Sequence, residues 1–448
     1  SRACARRTAE SLQASSVGSP NLDARLLDRY FADYIDRGVL PPLERSRRSL
    51  GGDAETHFDG ARLADIMRRF FGDDTIRASA ARRIDGRSDS SIISELTSWK
   101  HGSAAGLARY QETISRPERE PETLGVVVKR KARDAQVIDV AHRVAEQCSP
   151  ALGRAFKRFA PHLGLTHSHL RELGIFAQED ERFRRHAPAL FAALRNDCRG
   201  KWALVMEDVS GLELLDSADD VSGWTGDRIE AVVRGLAEVQ SIWYGREEDL
   251  LNQPWLGPVT SASDRARMHE LWIALAEVAA GRFGAENGSS MDRLVRRLID
   301  EVGPRWQRME RMPRTLIHND FNPRNVALRR HGASARLCAY DWELATIGVP
   351  QHDLAEFLSF VLPADVQRAE VEHYLDLHRT ALARASKCSI DPRAWELGFR
   401  LSLHDLLIDR LAMYAMVDRF RPQRFLSRVV STWRALYDLF PLEEGGRP

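Results

Sequence analysis

His318-Asn319-Asp320-Phe321-Asn322-Pro323-Arg324-Asn325, with Asp341-Trp342-Glu343 further on, is the stretch from which the rest of the chain is read. The first element has the form H-x-D-x-x-x-x-N and follows the short apolar run Thr315-Leu316-Ile317. The second closes the apolar run Leu337-Cys338-Ala339-Tyr340. Two short strands therefore bracket a loop, and carboxylates and an amide gather around one phosphate-sized gap. Hard oxygen donors of this kind are what magnesium takes. Asn325 and Asp341 are the candidate metal ligands, and Asp320 is placed to accept or orient a hydroxyl proton. With a base already present, His318 reads as a packing histidine that braces the loop.

Phosphoryl transfer asks a protein for positioning more than for covalent chemistry, and it needs a cation on the nucleotide phosphates. Val126-Val127-Val128-Lys129 ends a strand with a lysine at the place from which an ammonium reaches them. Lys131 projects to the same face of that strand, and Lys129 is the one chosen. The small-residue turn His101-Gly102-Ser103-Ala104-Ala105-Gly106 lies between two strand candidates. Gly102, Ser103 and Gly106 are its candidate positions for laying backbone amides over phosphates. A lysine buried beside phosphates calls for a carboxylate partner. Glu172, on a short apolar helix, is favoured, with Glu146 as its rival. The apolar strand Trp202-Ala203-Leu204-Val205-Met206 breaks into Glu207-Asp208-Val209 where a hinge is expected. There the backbone groups of Glu207 and Val209 suit an adenine edge.

The 448 residues are too many for one ordinary core, and 43% hydrophobic content is ample for burial. Lys plus Arg (65) nearly balances Asp plus Glu (64), so a net charge of +1 gives no overall handle for nucleic acid or an anionic membrane surface. The five cysteines are scattered and never in C-x-x-C spacing, which argues against a disulfide framework or a structural zinc site. No run approaches the roughly 18 apolar residues that span a membrane. A cytoplasmic location with no nucleic-acid or membrane partner is the expectation.

Two amphipathic stretches, residues 22–37 and 59–71, suggest helices in a first segment, 1–85, with Leu63, Ile66, Met67, Phe70 and Phe71 striping the second. Strand-like segments follow at 75–83, 91–99, 107–115, 124–131, 189–194 and 202–206. Helical periodicity covers 134–163, 168–179, 228–244, 265–283, 290–309, 364–385, 394–420 and 423–439. The division is a helical extension over 1–85, a β-rich nucleotide-binding lobe over 86–206, a helical lobe with the catalytic loop and substrate site over 207–440, and a flexible tail over 441–448.

Taken in order, Val128-Lys129, Leu170-Arg171-Glu172, Leu204-Val205-Met206-Glu207-Asp208, His318-Asn319-Asp320 with Asn325, and Asp341-Trp342-Glu343 with Gly348-Val349-Pro350 and Asp353-Leu354-Ala355 carry a likeness. The chain resembles the aminoglycoside phosphotransferase and choline kinase-like family, over about residues 91–360. The resemblance implies an α+β, bilobal, protein-kinase-like fold with a β-rich N-lobe and a mainly helical C-lobe. It also implies transfer of the γ-phosphate of ATP, or of GTP, with Mg2+, to a hydroxyl of a small molecule. In such enzymes the residue matching Asp320 is catalytic, those matching Asn325 and Asp341 hold magnesium, that matching Lys129 contacts phosphates, and that matching Asp353 steadies the catalytic loop. Two departures stand out. Family members often carry a histidine in the helix placed here at 228–244, where this chain has Leu236-Ala237-Glu238-Val239-Gln240-Ser241. Protein kinases usually place a lysine where Asn322 stands, which weakens a protein-kinase reading.

The acceptor is not written in any one segment. The C-terminal helices hold Arg400, Arg410, Arg419, Arg421, Arg424 and Arg428. Should some face the cleft, a neutral, carboxylate-bearing or peptide acceptor is favoured over a cationic antibiotic. Two further readings stand beside the small-molecule kinase: a kinase acting on serine or threonine of a biosynthetic precursor peptide, and an inactive pseudokinase scaffold. Retention of Lys129, Asp320, Asn325 and Asp341 together counts against the scaffold.

Overall fold

Five antiparallel strands and the helix that covers them make the first lobe of the structure, a computed structural model that describes residues 60–84, 106–117, 119–215, 220–283, 288–332 and 334–441. All belong to one compact unit, Phe58–Pro448. Helix α1 (Gly60–Phe71) leads into β1 (Arg77–Ile84), β2 (Gly106–Arg116) and β3 (Arg119–Arg130). Helices α2 (Asp134–Cys148), α3 (Pro150–Phe159) and α4 (Ser168–Phe176) come next, then β4 (Leu190–Asn196) and β5 (Lys201–Glu207). The sheet order is β1-β2-β3-β5-β4. Strand alternation sorts its two faces. Val126 and Val128 are fully buried with Leu63, Ile66 and Met67 of α1, while Lys129 faces the other way.

Because β1 pairs with β2, the sheet crosses the boundary read at residue 85. Residues 60–84 are part of the lobe rather than of an extension, and α1 is its lid. The stripe read on α1 is also narrower than expected: Phe70 and Phe71 stay largely exposed and stack edge-on, with Phe70 meeting Phe191. The helix expected at 22–37, the strand at 91–99, Gly102, Ser103 and the tail from 442 lie outside the described residues.

The second lobe is mainly helical: α5 (Gly226–Gln240), α6 (His269–Phe283), α7 (Gly288–Asp300), α8 (Val302–Glu310), α9 (Gln351–Val361), α10 (Arg368–Ser386), α11 (Pro392–Leu406), α12 (Ala412–Asp418) and α13 (Leu426–Leu439). Two small hairpin-like sheets sit among them. β6 (Thr315–Ile317) pairs with β9 (Thr346–Gly348), and β7 (Val326–His331) with β8 (Ser334–Ala339). One continuous apolar core, with Trp272, Trp342 and Trp433 fully buried, joins the helices.

Three segments depart from the expected helices, each for a local reason. The run 134–163 breaks at Ser149-Pro150, because proline cannot donate to the preceding turn and restarts a helix at its first position. Ser149 caps the new helix by accepting from the Leu152 N–H, a contact worth about 1 kcal/mol. The run 290–309 breaks at Glu301, just ahead of Gly303-Pro304. Helix α9 was not expected at all. Every one of its residues is buried, so no polar face gives it a period to read.

Candidate functional site

Residues 325 and 340 face each other because the β7–β8 register continues past its ends. Val326 pairs with Ala339, and the Tyr340 N–H donates to the Asn325 carbonyl at 3.0 Å. Asp341 therefore emerges beside Asn325, although sixteen positions separate them. It does so in the left-handed region (φ 66°), as does Asn319 in the loop (φ 60°). Non-glycine residues hold such backbone only where their surroundings over-determine it. Here they do: Asn319 donates its side-chain amide to the Leu344 carbonyl at 3.0 Å.

Helix α9 supplies the cradle for the loop. Asp353 accepts the backbone N–H groups of His318 (2.8 Å) and Asn319 (2.9 Å), and three residues on, from the same face, Glu356 accepts that of Phe321 (2.9 Å). Gln240, in the helix where a histidine was looked for, donates to Asp353 at 3.0 Å and meets His378 at 3.0 Å. The His318 ring is fully buried, lies 4.5 Å from Trp342, and donates through Nε2 to the Tyr340 carbonyl at 2.9 Å. Burial holds its pKa below the usual value, so it is a neutral brace between the loop and the Asp341 turn.

Asp320 has both oxygens engaged. Oδ2 accepts the Asn325 amide at 2.9 Å, and Oδ1 accepts Asn322 Nδ2 at 3.0 Å and the Tyr414 hydroxyl at 2.7 Å. Burial pushes its pKa up, but the Arg410 and Arg324 guanidinium groups and the Tyr414 hydrogen bond outweigh it and leave the carboxyl below its ordinary range. Glu356 goes the other way. Burial and the neighbouring Asp320 charge push it up to about 7. A protonated Glu356 can donate to the Tyr414 oxygen 3.1 Å away while Tyr414 donates to Asp320.

On the opposite wall, β3 and α4 meet the Asp341 turn in a cluster of two lysines and three carboxylates. Lys129 lies 2.8 Å from Glu172 and 2.6 Å from Asp341; Lys131 lies 2.6 Å from Glu172 and 2.5 Å from Glu343. Lys129 meets the expected partner Glu172, and Lys131 joins it because both project to the same side at the end of β3. Glu172 is fully buried between them, whereas the rival Glu146 is exposed on α2. Burial opposes the charge on Lys129, yet Asp341, Glu172 and Glu343 hold its pKa well above the usual value. Burial with the nearby Glu343 and Glu172 charges pushes Asp341 up to about 6, despite Lys129. Arg171, also buried on α4, donates to the Glu343 carbonyl at 2.8 Å and so fixes this corner.

Gly106 opens β2 with φ 128°, a conformation natural to glycine, and it stands opposite Arg130, next to the Leu107–Lys129 pair. Gly106 itself therefore stands beside the end of β3 that bears Lys129. Glu207 and Asp208 spend their N–H groups on Ala189 and Gly125, and the Glu207 carboxylate grips Arg329 in a two-pronged pair at 2.7 Å. Glu207 thus uses its side chain to tie β5 to β7. Val209 opens a short 3-10 turn just past the sheet.

The carboxylate oxygens of Glu172, Asp341 and Glu343 lie within 4.8 Å of one another. Asn325 gives its amide N–H groups to Asp320 at 2.9 Å, which leaves its oxygen for a ligand. Such an oxygen set could hold a magnesium ion, with Asn325 and Asp341 as its candidate ligands. A family model described as the phosphotransferase enzyme family matches residues 127–387, more than half of the chain. The chain belongs to that family. This family member shares its fold-level likeness with several solved structures. One is the ethanolamine kinase of Plasmodium vivax (10% identity, 82% of this chain and 83% of that one, TM-score 0.42). Another is a microcompartment-associated aminopropanol kinase (12% identity, 80% and 90%, TM-score 0.40). No curated protein sequence matches the chain. The bilobal α+β fold implied by the resemblance is the fold observed. No described helix is long and apolar enough to cross a membrane.

Sequence reading gave Lys131, Glu343, Glu356 and Tyr414 no role at the site in this family member, and named Arg410 only as one of six C-terminal arginines without saying which face the cleft. Glu356 had a local signal, its spacing of three from Asp353. Tyr414 had none, because nearly a hundred residues separate it from the loop it touches.

Proposed function

We propose that this chain moves the γ-phosphate of ATP, or of GTP, to a hydroxyl of a small molecule, with magnesium. The observation that carries the reading is the convergence, from four separate segments, of Lys129, Glu172, Asp320 with Asn325, and Asp341 on one cleft. Lys129, oriented by Glu172, contacts the nucleotide phosphates, and Lys131 adds a second cation on the same wall. Asn325 and Asp341 hold the metal, which when bound neutralises charge on the transferred group. Asp320, its carboxylate kept ionised by Arg410 and Arg324, receives the acceptor's hydroxyl proton or orients that hydroxyl in line with the phosphate.

Asp320→Ala and Asp341→Ala test this. Each is expected to lower magnesium-dependent phosphate transfer or nucleotide hydrolysis by about 100-fold or more. Asp320→Ala is expected to retain nucleotide binding, and Asp341→Ala to lose its dependence on magnesium. Equal activity in the native chain and both variants sinks the proposal and returns the chain to a scaffold role.

A further inference from the structure

The two oxygens of Asp320 have different neighbours. Oδ2 accepts from Asn325, a candidate metal ligand, whereas Oδ1 accepts from Asn322 and Tyr414, with the guanidinium groups of Arg324 and Arg410 near this carboxylate. Arg410 and Tyr414 stand one turn apart, and Arg410 sits in a π-helical segment, Leu407–Leu411, between α11 and α12. Single π turns inside α-helices recur at functional sites, because the extra residue re-aims the side chains that follow.

Arg410 differs from the arginines around it. Arg265 pairs with Asp409 at 2.5 Å, Arg305 donates to the Leu298 carbonyl at 3.0 Å, and Arg400 pairs with Glu396. Among the described residues, no hydrogen bond or ion pair fixes the Arg410 guanidinium, although Asp320, Tyr414, Glu356 and Asp409 are its electrostatic neighbours. Of these, Asp409 is already paired with Arg265, and Asp320 and Glu356 are engaged by Asn322, Asn325, Tyr414 and the Phe321 N–H. Arg324 is exposed at the rim. It is anchored through Nε to Asn322 at 3.0 Å and lies over the rings of Tyr414 (5.0 Å) and Phe425 (4.7 Å). The donors of the Arg410 fork are thus uncommitted, and a carboxylate or phosphate is the group whose geometry suits them.

We propose that Arg410, with Arg324 at the rim, forms an oxyanion-binding subsite beside Asp320, and that the acceptor is an alcohol carrying a carboxylate or phosphate group. This rests on the phosphotransfer reading and specifies its substrate class. Arg410 acts as a positioning residue that holds the acceptor's anion so that its hydroxyl meets Asp320.

Calorimetric titration of the full chain decides it. Magnesium-ADP is added first, and failure of the native protein to bind it counts against the phosphotransfer reading itself. Inorganic phosphate is then titrated into the ADP-loaded native protein, Arg410→Gln and Arg410→Lys. Phosphate is expected to bind at least tenfold more weakly to R410Q, with partial recovery in R410K, which controls for folding. Equal binding by all three, or none by the native protein, overturns the proposal. Turnover of N-acetylserine is then compared with that of N-acetylethanolamine, which lacks only the carboxylate. The acid is expected to be preferred, and R410Q to raise the KM of the acid at least tenfold while the KM of the neutral alcohol changes less than threefold. Preference for the neutral alcohol, or an equal rise in KM with both alcohols, also overturns it, the latter by leaving Arg410 no contact with the carboxylate.

Discussion

At the residue scale, Lys131 shows most clearly how burial changes a reading. As a strand-end lysine it is unremarkable in sequence, yet its side chain is 4% exposed and bridges Glu172 and Glu343. Removing one partner of a buried pair leaves the other charge uncompensated, at a cost of about 3–5 kcal/mol. Lys131→Met is therefore expected to destabilise the protein by about that much in denaturant titration, against less than about 0.5 kcal/mol for a surface lysine. It should also weaken magnesium-nucleotide binding. An unchanged unfolding midpoint contradicts the geometry described for this corner.

At the scale of elements, β2 carries a carboxylate where its alternation demands an apolar side chain. Ala108, Tyr110, Glu112 and Ile114 line its buried face, and among the described residues neither Glu112 oxygen has a hydrogen-bond partner. Burial pushes its pKa up from 4.5 to about 7. A raised carboxyl pKa means that the folded state keeps its proton longer than the unfolded chain. Below about 4.5 both states are protonated. Between 4.5 and 7 the unfolded chain alone ionises, so stability falls as pH rises, by up to about 3 kcal/mol over the interval. Urea titrations at pH 5 and pH 8 are expected to show this loss in the native chain and a smaller one in Glu112→Gln. Helix α9 teaches the complementary lesson. Its uniform burial hid it from periodicity, yet it is the element that holds the loop 318–325 through Asp353 and Glu356.

At the scale of the whole molecule, Glu207–Arg329 ties the sheet to the second lobe, from the end of β5 to β7, beside the Lys129–Asp341 and Lys131–Glu343 pairs. A two-pronged, partly exposed pair contributes about 1 kcal/mol. Arg329→Gln is expected to lower stability by about that amount and to raise the nucleotide KM more than it changes kcat; a change in kcat alone argues against a tether between lobes. The sequence by itself determined the chemistry that lies along the chain: the spacing of His318, Asp320 and Asn325, the Asp341 turn, the lysine of β3, and the alternation of strands with amphipathic helices. These are legible because hydrogen bonding and amphipathic periods act over a few residues. Only the tertiary structure decided that Lys131 joins Lys129, that Glu172 rather than Glu146 meets them, that residues 60–84 complete the sheet, and that Arg410 and Tyr414 reach Asp320. Each of these depends on burial and on charges brought together from distant segments, and side-chain spacing along the chain carries no record of which surfaces will close on one another.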